Sequence, residues 1–402
     1  MVEPKVRFKQ DNGCSYPAWK TVPFSKLSYP SGIKNKNDVN LESYSISSEK
    51  GFIPQNEQFD DAGYLTNADR TLYYIVSPGS FAYNPARINI GSIGYQNVNK
   101  DVLVSSLYEV FNTTEELDDM FLMNWFRTNQ FQKNVRRLSE GGVRQYFYYD
   151  KLCMVKFPLP CIEEQQKIAT FLSFIDKVID ISEQEIIKLK ELKKGMLQKL
   201  FPLEGKSIPE IRFPGFINPW KQCKISDLFD SVESGNRLPK TMLTTGNIPY
   251  VVASSENNGI VAYVNEEQKD YNGNRMKLFP GNSITFSIDN PDAIFVQNKA
   301  FFTSNVMRVL HNDNYSYNQV IVISEMIKRL TTYYNWTFKF SGPVVMNSNI
   351  YLPISKSGEI DFEEIEAIGI ILSKFDDLVT LCQCELDKWR KLKKSLLQQM
   401  FV

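Results

Sequence analysis

KLKELKKGMLQKLF (188–201) and KWRKLKKSLLQQMF (388–401) are nearly one sequence written twice, and their reading decides the fold. Each closes a long amphipathic helical pattern. In the first, Ile168, Leu172, Ile175, Ile179, Ile186, Leu189 and Met196 fall at steps of four and three, with Ser182 and Lys193 in the two remaining places. At an offset of 200 residues, Ile368, Leu372, Phe375, Val379, Leu386, Trp389 and Leu396 do the same, with Cys382 and Lys393 as the exceptions. A four-three apolar repeat keeps one seam facing a partner helix. Because the exceptions coincide as well as the rule, the pattern speaks for duplication of a whole unit.

The duplication continues upstream. PKVRF (4–8) returns as PEIRF (209–213), each followed by a proline and a tryptophan, Pro17 and Trp19 or Pro219 and Trp220. SSEKGF from Ser47 returns as SSENNGI from Ser254, and a Pro-Gly turn precedes a strand-like run at Pro78-Gly79 and at Pro280-Gly281. Between these landmarks the two halves differ. Short strands and turns dominate the segments from Leu72 and from Phe279. Shorter helical patterns begin at Thr114, a candidate cap before an acidic first turn, and at Tyr317.

The expected architecture is α+β: two similar α/β domains separated by a pair of long antiparallel coiled-coil helices, related by an internal pseudo-twofold. The expected boundaries are 1–158 for the first globular domain, 159–201 for the first spacer helix, 202–351 for the second domain and 352–402 for the second helix. The connection after the first helix, PLEGKSI (202–208), is short. The second helix must therefore run back along the first if the seams are to meet, which brings both termini near the first domain. About 38 helical residues span roughly 57 Å. A spacer between two similar but unlike heads suits a linear target with two separated sites, and sites on one face of duplex DNA lie about 34–36 Å apart or multiples of it.

Composition narrows the function. The chain of 402 residues is 43% hydrophobic and 23% charged, and its 46 basic and 46 acidic residues cancel. With no global basic field, nucleic-acid contact has to come from local patches. No apolar run approaches membrane-spanning length, no signal-peptide core opens the chain, and the six cysteines form no CxxC pair, so a cytoplasmic protein with free thiols is expected. The single histidine, His311, leaves little for zinc or for Ser-His-Asp chemistry.

The order of elements, PEIRFPGF before a tryptophan, FAYNPARINIGSIGY (81–95) and the ELKKGMLQKLF helix end together resemble the specificity subunits of type I restriction-modification systems. The resemblance covers nearly the whole chain, strongest in the helices and landmark runs and weakest inside the heads. QDNGCSYPAW (10–19) stands where the second copy has the shorter PGFINPW (214–220), a departure at the entry to the first head. The resemblance implies two target-recognition domains reading a bipartite, asymmetric double-stranded DNA target. It further implies two modification (methyltransferase) subunits and restriction subunits as partners. S-adenosylmethionine, ATP and Mg2+ would then belong to those partners and none to this chain.

The rival readings fail on motifs. Asn84-Pro85-Ala86-Arg87 and Asn290-Pro291-Asp292-Ala293 lack the second proline and aromatic of an adenine methyltransferase. No GxGxxG or GxxxxGK(S/T) loop is present, and Lys299 lacks the preceding carboxylate of a metal-dependent nuclease. A sugar-binding adhesin would fit the 13% aromatic content but has no secretion signal. The chain is therefore expected to recognise DNA without catalysing a reaction.

Base edges take Arg, Lys, Asn and Gln, while phosphates take Lys, Arg, Ser and Thr. The candidates in the first head are Lys34, Lys36, Ser47, Ser48, Tyr83, Asn84, Arg87, Asn89 and Arg144. In the second they are Arg237, Lys240, Ser254, Ser255, Asn274, Arg275, Asn298 and Lys299. The Ser-Ser-Glu pair, shared by both heads, is better suited to shaping a turn or gripping phosphate than to reading a base. The basic helix ends (Lys188, Lys190, Lys193, Lys194; Lys388, Arg390, Lys391, Lys393, Lys394) suit DNA phosphates, partner carboxylates or plain solvation equally.

Overall fold

In the computed structural model, which describes residues 3–48, 50–58, 69–141 and 145–401, the two amphipathic stretches form helices Ile162–Leu200 and Phe362–Gln399. Each opens on two glutamates, Glu163 and Glu164 or Glu363 and Glu364, where the helix dipole favours negative charge. The second glutamate of each pair is fully buried. It receives the arginine of the repeated PKVRF or PEIRF segment. Arg7 Nη2 and Nε reach Glu164 at 2.8 and 3.0 Å, and Arg212 Nη2 and Nε reach Glu364 at 2.7 and 2.7 Å. The landmark that recurs in the sequence is thus the clamp that fixes where each long helix begins.

By packing, the chain divides inside both helices, into Met1–Glu183 with Cys384–Val402 and Gln184–Gln383. In the first unit Lys393 pairs with Asp176, and Arg390 Nη2 lies 2.6 Å from Glu183 Oε1. Numbers fall on one helix as they rise on the other, so the pairing is antiparallel. In the second unit Lys193 Nζ lies 2.6 Å from Asp376 Oδ1. The two lysines that interrupt the apolar repeat therefore meet aspartates that are themselves equivalent. A polar pair inside such a seam fixes register better than another leucine would. Of the seam positions, Ile168, Leu172, Ile175, Ile186, Ile368, Leu372 and Leu386 are buried. Ile179, Leu189, Met196, Phe375, Val379, Trp389 and Leu396 are half-buried.

The heads repeat one topology. A two-stranded antiparallel ribbon leads into each helix: Lys20–Pro23 with Lys156–Leu159, and Lys221–Lys224 with Asn349–Leu352. Each head then has a four-stranded antiparallel sheet. Its order is Ser28–Pro30, Glu109–Thr113, Phe81–Tyr83, Ile93–Tyr95 in the first, and Glu233–Ser234, Met307–Leu310, Ser283–Ser287, Ile294–Gln297 in the second. Beside it lies a three-stranded sheet, Ile33–Lys34, Tyr74–Val76, Val102–Val104 in the first head and Ile260–Val264, Ile248–Val251, Phe302–Thr303 in the second. The first is antiparallel throughout, whereas Ile248–Val251 runs parallel to Phe302–Thr303. Here the copies diverge. The fold is α+β, with two similar units, each of which pairs its own stretches of the two long helices antiparallel.

Each core closes on the far end of a long helix. In the first unit Phe401 stacks on Phe121 with centroids 5.0 Å apart, Met400 is buried, and Val6 N donates to Gln399 O at 3.0 Å. In the second, Phe201 packs edge-on to Trp220 at 5.7 Å. Arg329 caps that helix end, donating to Leu197 O and Pro202 O at 2.6 and 3.1 Å.

One helical expectation is corrected. The pattern from Thr114 is two helices, Asp119–Phe126 capped by Asp118 and Asn129–Leu138 capped by Thr128. Thr114 caps neither, because Asp118 offers a carboxylate to Phe121 N at 2.8 Å, and Thr128 breaks the run by taking Phe131 N at 3.2 Å. The helix Tyr317–Thr332 forms as the sequence predicts, with Ser316 and Gln319 making a capping box.

Candidate nucleic-acid interface

The candidate residues fall into two groups in each head. In the first head, Lys34 and Lys36 sit around the Asn35 turn. Lys34 is half-buried, its Nζ donating to Leu72 O at 2.8 Å and lying 3.5 Å from the centre of the Tyr74 ring. Lys36 is exposed. Arg70, not singled out from sequence, packs against the same turn, with Nη1 donating to Asn40 Oδ1 at 3.3 Å.

The second group joins the SSE hairpin to the NPARINIG loop. Ser48 lies against Gly91, whose φ of +89° a side chain would resist, and Ser92 Oγ donates to Ile46 O at 2.9 Å. Arg87 and Asn89 are exposed beside them. Asn84 turns inward and accepts from Ala86 N at 3.0 Å, so its side chain builds the turn. A cleft of about 560 Å³ opens here, with Ser48, Lys50, Asn89 and Arg127 at its rim and Phe52, Met120, Met123 and Phe126 at its floor. Arg144 lies outside the described residues.

Tyr83 is a correction. It is fully buried on an internal strand, and its hydroxyl finds no partner among the described residues. Burial also raises its pKa well above the ordinary value, with the Glu109 carboxylate adding to the effect. It belongs to the core and offers nothing to a ligand.

In the second head, Arg237, Asn274 and Arg275 come together on two loops held by the buried Asp270. Its carboxylate accepts from Asn274 N at 2.9 Å and from Asn236 Nδ2 at 3.0 Å. Lys240 is exposed three residues beyond Arg237. Ser254 and Ser255 lie on one segment and Asn298 and Lys299 on another, and the two segments are joined where Gln297 Nε2 donates to Asn258 O at 3.0 Å. The leading serine of each SSE copy accepts a turn amide: Ser47 Oγ from Lys50 N at 3.4 Å and Ser254 Oγ from Glu256 N at 3.3 Å. The shared pair shapes a turn in both heads.

Arginine partners sort the readers from the braces. In the first unit Arg7, Arg70, Arg127, Arg136, Arg137 and Arg390 each donate to a named acceptor. Among the described arginines of that unit, Arg87 alone keeps its guanidinium unclaimed. In the second, Arg212, Arg308 and Arg329 are spent on acceptors and Arg275 sits 3.9 Å from Glu267. Arg237 is the one left without an acceptor among the described residues. Among the basic helix-end residues, Lys193, Lys393 and Arg390 are taken by the helix pair, while Lys188, Lys190, Lys194, Lys388, Lys391 and Lys394 are exposed. Burial and then the Arg127 guanidinium pull the Lys393 ammonium below its ordinary pKa, and Asp176 pulls it back.

The lone histidine does stand between a serine and an aspartate: His311 Nδ1 is 3.0 Å from Ser283 Oγ and Nε2 is 2.9 Å from Asp313 Oδ1. Ser283 is fully buried, however, and its Oγ donates to Pro280 O at 2.8 Å. A hydroxyl with no access to solvent, its O–H directed at a backbone carbonyl instead of the imidazole, is not placed to act as a nucleophile. Among the described residues no group of three His, Cys, Asp or Glu side chains is placed to hold a metal.

A model of the type I restriction modification DNA specificity domain matches the chain twice, over residues 11–191 and 217–388. The chain belongs to this family. Its two specificity domains coincide with the two heads and with most of both long helices. Among curated relatives, the type II restriction enzyme BgcI specificity subunit S.BcgI of Heyndrickxia coagulans is 29% identical over 37% of this chain and 41% of its own. The type I restriction enzyme MjaVIII specificity subunit of Methanocaldococcus jannaschii is 28% identical over 34% of this chain and 32% of its own. The chain thus spans less than half the length of either relative. The fold is shared with the S subunit of a type I restriction-modification system from M. genitalium, at a TM-score of 0.61 and 14% identity over 100% of this chain and 99% of that one. A chain from a study of type I R-M complex assembly superposes at 0.54, with 15% identity over 95% and 97%.

Within the specificity-domain reading, Arg87 is the sharpest candidate of the first head. Arg87→Ala is expected to weaken binding of target duplex about 5- to 100-fold, the range for losing one base or phosphate contact. Fluorescence anisotropy at fixed salt measures it, and unchanged affinity with an unchanged target sequence removes Arg87 from the interface.

Proposed function

We propose that this chain is the DNA-recognition subunit of a restriction-modification complex. It reads a split, asymmetric double-stranded target, one half-site per head, and directs methylation and restriction carried out by partner subunits. The observation that carries the reading is the double match to the specificity domain on two heads whose four-stranded sheets share one order, each presenting, among its described residues, one arginine without an acceptor. Like scaffolds with unlike surfaces suit two unlike half-sites. The antiparallel helix pair supplies the spacer, and its exposed lysines suit partner carboxylates or DNA phosphates.

On this reading two modification subunits and the restriction subunits bring the S-adenosylmethionine, ATP and Mg2+ chemistry, and this chain contributes recognition without catalysis. The complex works on DNA in the cytoplasm. No helix among the described residues is long and apolar enough to cross a membrane. Co-expression with the modification subunit, followed by sequencing of methylated adenines, tests the proposal. A bipartite asymmetric motif with an unread gap is the expected result. A fully assembled complex that adds no methyl group anywhere would refute it.

A further inference from the structure

We infer that Arg237 reads a guanine in the half-site of the second head and that Tyr271 is the residue that holds it in reading position. The inference rests on the proposed DNA-recognition function and deepens it from a surface to a base.

Gly235 lies so close to Thr303 that a Cβ there would collide with the Thr303 carbonyl, and Asn236 N donates to Thr303 O at 3.0 Å. The Asn236 side chain bridges two further segments, donating to Asp270 Oδ2 at 3.0 Å and accepting from Lys277 N at 3.0 Å. On the other side Leu238 is buried. Arg237 is therefore an exposed residue between two anchored neighbours, and its backbone has little freedom left to lose on binding.

Its side chain is held as well. The Arg237 guanidinium carbon lies 4.9 Å from the centre of the Tyr271 ring, and Tyr271 N donates to Arg237 O at 2.9 Å. Tyr271 itself rides on the DYNGN turn, which Asp270 closes by accepting from Asn272 N and Asn274 N at 2.9 Å each, with Gly273 at φ +81°. Tyr271 is 57% exposed, so it fills no core.

Stacking engages one face of a guanidinium and leaves its edge free. That edge carries the paired N–H groups that match guanine O6 and N7 in the major groove. No acceptor among the described residues claims it, whereas the other four arginines of this unit each have an acceptor or carboxylate partner. Lys240, exposed three residues along the same loop, supplies positive charge to draw a phosphate. A flexible surface arginine would add affinity without preference. A stacked one with both neighbours pinned selects a base, because the wrong base leaves its donors unpaired.

The test uses the assembled complex and a pool of random-sequence duplexes, sequencing what is bound by the unaltered protein, R237K, R237A, Y271F and Y271A. The unaltered protein is expected to enrich a bipartite motif with a guanine in one half. R237K and R237A should lose about 10- to 100-fold of the preference for guanine at that position, with the other half-site unchanged. Y271F should keep the motif, since the ring remains. Y271A should relax the same position as R237K, a readout that a merely structural tyrosine would not give. A motif unchanged in R237K and R237A overturns the inference. So does a uniform fall in affinity with every letter kept, which marks a phosphate contact. If even the unaltered complex enriches no motif, the proposed function falls, and this inference with it.

Discussion

Glu364→Ala is expected to destabilise the second unit by about 3–5 kcal/mol, the cost of leaving a buried charge without its partner. Arg212 gives Glu364 two of its donors, at 2.7 Å each, and already has its Nη1 unpaired among the described residues. With the carboxylate gone, the whole guanidinium would lack its acceptor among the described residues. Denaturant unfolding of the two proteins measures the difference. The double variant Arg212→Met with Glu364→Leu should recover most of it, because a well-packed apolar pair of similar volume avoids desolvating either ion. Glu164→Ala should cost at least as much in the first unit, where Trp19 Nε1 also donates to that carboxylate at 3.0 Å. The equivalent Trp220 Nε1 has no such acceptor. A loss below about 1 kcal/mol for either glutamate, typical of exposed pairs, would show that the pair is not the clamp described.

Leu172→Ala and Leu372→Ala are expected to cost about 2–5 kcal/mol each, the range for truncating a leucine in a packed core. Both side chains are fully buried at equivalent places in the two units. Leu192→Ala and Leu392→Ala are the controls. They sit on the same helices, 58% and 43% exposed, and should change stability by no more than about 0.5 kcal/mol. Four chemically identical substitutions then separate into two classes by burial alone. Equal costs for all four would mean the helices pair through a different face.

The long helices were legible because a four-three repeat needs no tertiary information: each apolar residue announces its own face. The lysines at 193 and 393 were legible as exceptions, yet their aspartate partners were not, since nothing local ties Asp376 to Lys193. The repeated PKVRF and PEIRF segments were visible as landmarks while their purpose was hidden, because a buried ion pair joins residues 157 or 152 positions apart. Tyr83 was misjudged for a local reason. It follows Phe81 at strand spacing and shares its face, but the Asn-Pro turn beside it drew the reading towards the surface. Tyr271 was missed although Asn274 and Arg275 next to it were chosen. The DYNGN turn was a signal for geometry, and only the fold brings Arg237 over the ring. Arg87 and Arg237 were chosen among many basic residues, and it took the partners of all the other arginines to set them apart.

The shared helices also order events during synthesis. The second unit, Gln184–Gln383, is a continuous stretch and has everything it needs once its last residue clears the ribosome. The first unit is not: Phe121 waits for Phe401, and Asp176 waits for Lys393. Until that distant segment emerges, the earlier-made head must stand with its aromatic core open at one side. The part translated first is thus completed last, the reverse of the usual vectorial order, and a nascent chain stalled short of residue 384 would hold a finished second head beside an unfinished first one.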